Sequence, residues 1–109
     1  MAALVWVEPD NWVIRTQIQQ QLKRLNRYSG PADGAWGPNT IRGIQYSCKL
    51  AGAQVTVDGI PGPETSRGVE WYATGKNLSW PVGYPMSVTL WHQFLNRLAS
   101  VPNPSGGPV

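Results

Sequence analysis

Few residues in this chain could carry out chemistry, and their types and spacing limit what that chemistry could be. Asp33 and Asp58 each open an Asp-Gly turn. Two carboxylates can act as general acid and base, but only at a set separation and with one pKa raised. A turn aspartate more simply accepts hydrogen bonds from the backbone N–H groups of its own turn, and that structural reading takes precedence. His92 is the only histidine and Cys48 the only cysteine. A zinc site needs three or four ligands, and a nucleophilic pair needs a third, orienting group; these two residues, far apart in the chain, supply neither. No metal, cofactor or catalytic residue is therefore expected, and Cys48 reads as a small buried hydrophobe. Tyr28, Trp36, Arg42, Tyr46, Arg67 and Trp71 remain, all in or beside two loops. Flat rings and guanidinium forks suit a shallow recognition groove. The competing reading is that the rings plug the core and the arginines are solvated.

The elements that must position these residues follow from periodicity. Ile14, Ile18, Leu22 and Leu25 share one helical face, which predicts a first helix from Asn11 to Asn26, capped by Asp10 or Asn11 and stopped by Asn26 to Gly30 with Pro31. A second helix is predicted from Pro38 to Leu50, with Ile41, Ile44 and Cys48 inward and Gly52 as its stop. Val55-Thr56-Val57 reads as a short extended piece. A third helix runs from Pro63 to about Ala73, with Val69 and Tyr72 inward, and Thr74-Gly75 ends it. Residues 75–86 read as irregular. Ser87 caps a fourth helix to about Ser100, with Val88, Trp91, Leu95 and Leu98 as its stripe and Leu90 and Phe94 widening it. Residues 1–9 read as an extended arm ended by Pro9, and residues 101–109 as a Pro/Gly-rich flexible tail.

Composition sets outer limits. The chain has 109 residues, long enough for one domain with a real core and no staples. With one cysteine no internal disulfide can form, unlike a disulfide-stapled secreted scaffold. The net charge is +3, and Lys23, Arg24 and Arg27 cluster where they complement a helix C-terminus. They could also favour an anionic polymer, but no basic run is long enough to indicate nucleic acid. No segment reads as a membrane span or signal peptide.

Two stretches match at an offset of 25 residues, from Asp33 to Asp58: Asp33-Gly34-Ala35-Trp36-Gly37-Pro38-Asn39-Thr40-Ile41-Arg42-Gly43 and Asp58-Gly59-Ile60-Pro61-Gly62-Pro63-Glu64-Thr65-Ser66-Arg67-Gly68. Each residue type has a use in a loop that turns into a helix. Gly34 and Gly59 can take positive φ. Gly37 and Gly62 would let the chain swing into the helix. Pro38 and Pro63 fit the first helical position. Thr40 and Thr65 can serve free donors of the first turn. Gly43 and Gly68 would admit another backbone.

This doubled motif, following a helix that ends Tyr28-Ser29-Gly30, resembles the peptidoglycan-binding domain found beside cell-wall hydrolases. The resemblance covers about residues 12–73. It implies a mainly α fold, a small orthogonal three-helix bundle, here with an added C-terminal helix and extended terminal arms. The division is then an arm (1–9), a peptidoglycan-binding-like domain (10–75), an added loop and helix (76–100) and a tail (101–109). The family places Ala where Gly43 stands and Phe-Gln where Ser47-Cys48 stand, so part of its surface is altered here.

The resemblance implies a non-catalytic module that holds bacterial peptidoglycan in a groove between the second and third helices, with aromatic faces against sugar rings and arginines against peptide carboxylates. A starting Met1 without an export signal suggests a bacteriophage setting. The alternative is a structural virion protein, decorating a capsid or forming part of a tail. Its terminal arms and the wide apolar face of the fourth helix would then dock on capsid or tail neighbours or form an oligomer. A lysin fragment is a third possibility. The expected location is the cell wall or the virion.

Overall fold

The computed structural model describes residues 6–75 and 86–102. The start of the expected arm (1–5), most of the irregular loop (76–85) and most of the tail (103–109) lie outside the described residues. Among the described residues four helices follow one another: α1 (Trp12–Arg24), α2 (Pro38–Leu50), α3 (Pro63–Thr74) and α4 (Val88–Ala99). The fold is mainly α, a three-helix unit with an added C-terminal helix, and the described residues contain no strand. Val55-Thr56-Val57 forms no strand, and its Val55 is buried in the core. None of the described helices is long and apolar enough to cross a membrane.

Local chemistry sets the helix limits. Asn11 caps α1, its side-chain oxygen accepting from Val13 N at 2.9 Å and Ile14 N at 3.3 Å. Ser87 caps α4 by accepting from Leu90 N at 3.1 Å. α2 and α3 instead start with proline in the first turn, behind glycine N-caps that offer no side chain. α1, α2 and α3 end through left-handed residues, α4 through the right-handed Ser100. Asn26 (φ 60°) follows α1, and Arg27 N then reaches back to Leu22 O at 2.8 Å; Gly52 (φ 109°) follows α2, and Ala53 N reaches Cys48 O at 3.0 Å.

Ile14, Ile18, Leu22 and Leu25 of the first segment meet Ile44 and Cys48 of α2, Val55, and Val69 and Tyr72 of α3 in one core. α4 lies against both α1 and α3 and completes that core. Its inner stripe is centred on Leu90, Trp91, Phe94 and Leu98, whereas Val88 is 51% exposed and Leu95 only half-buried. Leu90 and Phe94, expected only to widen the stripe, thus take the inner places expected for Val88 and Leu95, since it is they that share a face with Trp91 and Leu98 against the core. Trp91 is the junction: Trp6, Trp36 and Phe94 pack on it edge to face at 5.3, 5.2 and 5.6 Å, the geometry that the charge distribution of aromatic rings favours.

The described part of the arm does not project. Trp6 covers Trp91, whose Nε1 donates to Val7 O at 2.8 Å, Pro9 is buried, and Glu8 pairs with Arg15 at 3.3 Å. Over Trp6–Pro9 this apolar, proline-ended segment finds its partners on its own domain. The wide apolar face of α4 is likewise covered from within.

Each loop is tied to the preceding helix by one buried glutamine. Gln19 accepts from Gly34 N at 2.7 Å and donates to Ala35 O at 2.9 Å and Thr40 Oγ1 at 3.1 Å. Gln45 accepts from Asp58 N at 3.0 Å and Gly59 N at 2.9 Å, and donates to Asp58 Oδ1, Ile60 O and Thr65 Oγ1 at 3.0–3.1 Å. The threonines therefore do not cap their own first turns; their hydroxyls accept from the two amides. Gly34 (φ 86°) and Gly59 (φ 78°) do take the left-handed conformation. Gly37 and Gly62 are extended, with open space where a Cβ would stand, so the turn into the helix does not require glycine there. A Cβ on Gly43 would lie 2.7 Å from Arg27 O, a close backbone approach, whereas on Gly68 it would meet the side chain of Val55 at 2.5 Å. Ser47 and Cys48 are both buried, so the departure from the family pattern alters the interior rather than the surface.

Two stability predictions follow from these contacts. Gln45→Leu strands the N–H groups of Asp58 and Gly59 and should lower the unfolding free energy by on the order of 3 kcal/mol, read from urea melts. Ala for Gly normally gains about 1 kcal/mol inside a helix, but Gly43→Ala must displace the Arg27 carbonyl and should instead cost about 1–3 kcal/mol in the same assay.

Candidate functional site

The inward residues of the repeat hold the loops, and the outward ones form two grooves. The first is a cavity of about 520 Å³ where the end of α1 meets the start of α2, lined by Lys23, Asn26, Arg27, Tyr28, Ser29, Asn39 and Arg42. The second, of about 460 Å³, lies where the end of α2 meets the start of α3, lined by Gly52, Ala53, Gln54, Glu64, Arg67, Gly68 and Trp71. They are equivalent in the repeat: Asn39 and Arg42 of one stand where Glu64 and Arg67 of the other do.

The single groove expected for six residues is thus two grooves, because each of the two loop-to-helix entries makes its own concavity. Tyr28 and Arg42 belong to the first; Arg67 and Trp71 belong to the second. Trp36 lines neither. It packs on Trp91 and donates from Nε1 to Arg15 O at 3.1 Å, so it acts as a plug at the core's edge. Tyr46 stands on the outer side of α2, 44% exposed, and lines neither groove.

The grooves differ electrostatically. Three cations line the first with no carboxylate among its lining residues. Lys23 Nζ donates to Gly30 O at 2.7 Å, Arg27 to Ser47 Oγ at 2.9 Å and Arg42 to Asn39 Oδ1 at 2.8 Å. Each such group has more N–H donors than these bonds use, and Lys23 and Arg42 are exposed, so an anion can reach them. Tyr28 forms the wall: its hydroxyl donates to Pro31 O at 2.9 Å and lies where a side chain on Gly30 would stand. In the second groove Arg67 shares the lining with Glu64, whose Oε1 accepts from Thr56 N at 2.6 Å, and with the half-buried Trp71.

The remaining candidates take structural places. Asp33 Oδ1 accepts from Ala35 N and Asp58 Oδ1 from Ile60 N, both at 2.9 Å. The Ile60 N–H, the Gln45 amide, the Asp58 N–H and the positive charge of Arg42 hold the Asp58 carboxyl below its ordinary 3.8, against a smaller desolvation effect that raises it. Burial pushes the Cys48 thiol up to about 12, against the weaker pull of Arg27, so it stays protonated and unreactive. His92 is exposed on α4. No group of three metal-ligating side chains occurs among the described residues.

Gln19 and Gln45, which set this geometry, carry a signal in the sequence: each follows an isoleucine of the inner stripe and precedes an Asp-Gly pair by nearly the same distance. A polar residue beside the apolar stripe, repeated with the turn it serves, marks a buried amide with a fixed partner. Asn39, Gln54 and Glu64 carry no such mark, since polar residues on outer helical faces are ordinary.

The fall of the Asp58 pKa on folding gives a testable sign. The carboxylate stabilises the fold above 3.8, and that contribution is lost as pH falls through the lower folded value. Asp58→Asn keeps an oxygen for Ile60 N but removes this titration. The stability difference between wild type and variant should therefore be largest above 3.8 and shrink on further acidification, read from denaturant melts across that range.

Residues 14–67 match the model of the family described as putative peptidoglycan binding domain. The match spans most of α1, both loops, α2 and the first turn of α3, and so contains the doubled motif up to Arg67 and most of both grooves. No curated protein and no solved structure matches the chain.

Proposed function

We propose that this chain, whose residues 14–67 match the model of a putative peptidoglycan binding domain, is a non-catalytic module that holds bacterial cell-wall peptidoglycan. The observation that carries the reading is the repeated groove, each copy with an arginine at the same motif position and an aromatic ring, Tyr28 or Trp71, beside it. Arg42 and Lys23 supply charge-assisted donors for the carboxylates of stem peptides, and the rings supply apolar faces for the polymer. Both aspartates are engaged by their own turns, so the module's part is to retain the polymer and not to cut it. The site of action is then the cell wall, with a bacteriophage-encoded module as one setting.

The alternative, a structural component of a phage capsid or tail, drew on a projecting arm, an open α4 face and an altered surface. Trp6 and Pro9 instead pack against the same domain, as does the α4 stripe, and Ser47-Cys48 is interior. Wall binding is therefore the reading the geometry supports best.

Sedimentation with purified sacculi tests it. We expect retention that persists when salt is raised enough to screen surface charge, and a loss of about tenfold in affinity, or about 1.4 kcal/mol, for Arg42→Ala combined with Arg67→Ala. No retention, or retention abolished by salt alone, would remove the proposal.

A further inference from the structure

A third concavity, of about 330 Å³, lies at the other end of α1 from the cationic groove, lined by Trp12, Val13, Thr16, Gln17 and Gln20. Trp12 precedes the family match and stands off the inner stripe of α1. Its ring is 56% exposed but does not hang free. Nε1 donates to Asp33 O at 2.9 Å, and the Arg15 guanidinium lies over the ring at 4.6 Å. Arg15 is itself fixed by donating to Gly34 O at 2.6 Å and pairing with Glu8. Gly34 is where the indole seats: a Cβ there would come within 2.3 Å of Nε1, so the bare backbone makes room for the ring.

We infer that this surface is a docking platform for an uncharged amino-sugar unit of a glycan chain, with the Trp12 indole as the stacking face. The inference rests on the peptidoglycan reading and adds to it the place where the sugar backbone is recognised, apart from the cationic groove. Three features identify the ligand chemistry. The indole is large, flat and held before binding, so little conformational freedom is lost when a pyranose ring lies on it. The surrounding groups are a hydroxyl and two carboxamides (Thr16, Gln17 and Gln20), which can both donate to and accept from sugar hydroxyls and N-acetyl groups. No charged side chain is among the residues lining the concavity, Arg15 lying over one face of the indole, whereas charged side chains line both grooves; a neutral ligand stacked on the other face is the complement.

The probe is chitotetraose, a peptide-free chain of N-acetylglucosamine, titrated into labelled protein while the indole N–H resonances are followed. The Trp12 signal is assigned by its absence from Trp12→Phe. We expect saturable movement of that signal. Affinity should fall about tenfold in Trp12→Ala, less in Trp12→Phe, and also in the Gln17→Ala, Gln20→Ala double variant, which leaves the Asp33 contact intact. Chitotetraose that leaves the Trp12 signal unmoved, or binds all variants alike, overturns the inference, and sacculus retention sensitive to Arg42 and Arg67 would then leave the module reading standing. Saturable chitotetraose binding at Trp12 without sacculus retention would uphold the sugar platform and remove the wall-binding reading.

Discussion

Everything on the surface of this domain depends on two buried carboxamides. The N–H groups of the buried glycines Gly34 and Gly59 need partners, and water does not reach them. Gln19 and Gln45 meet that need, and their amide hydrogens gather the loop carbonyl and the following helix's threonine. One side chain thereby fixes three successive pieces of backbone: the helix that carries it, the loop, and the start of the next helix. In α3 the equivalent position is Glu70, which follows Val69 as Gln45 follows Ile44 and is also buried.

This division of labour explains what was legible in the sequence. The helix limits followed from local physics, because Pro38, Pro63, Asn11 and Ser87 act on their own first turns. The positive φ of Gly34 and Gly59 was implied by their turn type. The roles of Thr40, Thr65, Gly37, Gly62 and Gly68 were not, since those depend on what a distant segment brings near. A threonine next to a helix start looks like a cap until an amide from the previous helix claims its hydroxyl.

The candidate site was legible in part for the same reason. The motif placed Arg42 and Arg67 at outward positions, and both line grooves. Trp36 sits in the motif yet faces inward, because its ring meets Trp91, which lies well outside the repeat. Tyr46 shares a helix with Gln45 but not its direction. Inner positions of the repeat are held by partners that tolerate little change, whereas outer positions are bound only by solvent. Two grooves with the same backbone can therefore differ in charge, with Asn39 in one and Glu64 in the other.

The contact between the Trp91 indole and the Val7 carbonyl joins points 84 residues apart, and Arg24 reaches Leu98 O across 74. The two ends of the described fold thus close on each other around α1. Such closure raises the contact order, and long-range contacts must await the ordering of the chain between them. During synthesis, Ile14, Ile18 and Leu22 leave the ribosome well before the helix that covers them. The nascent chain must carry an unroofed apolar surface until α4 emerges, so this small helical protein acquires its native state only after translation of that last helix.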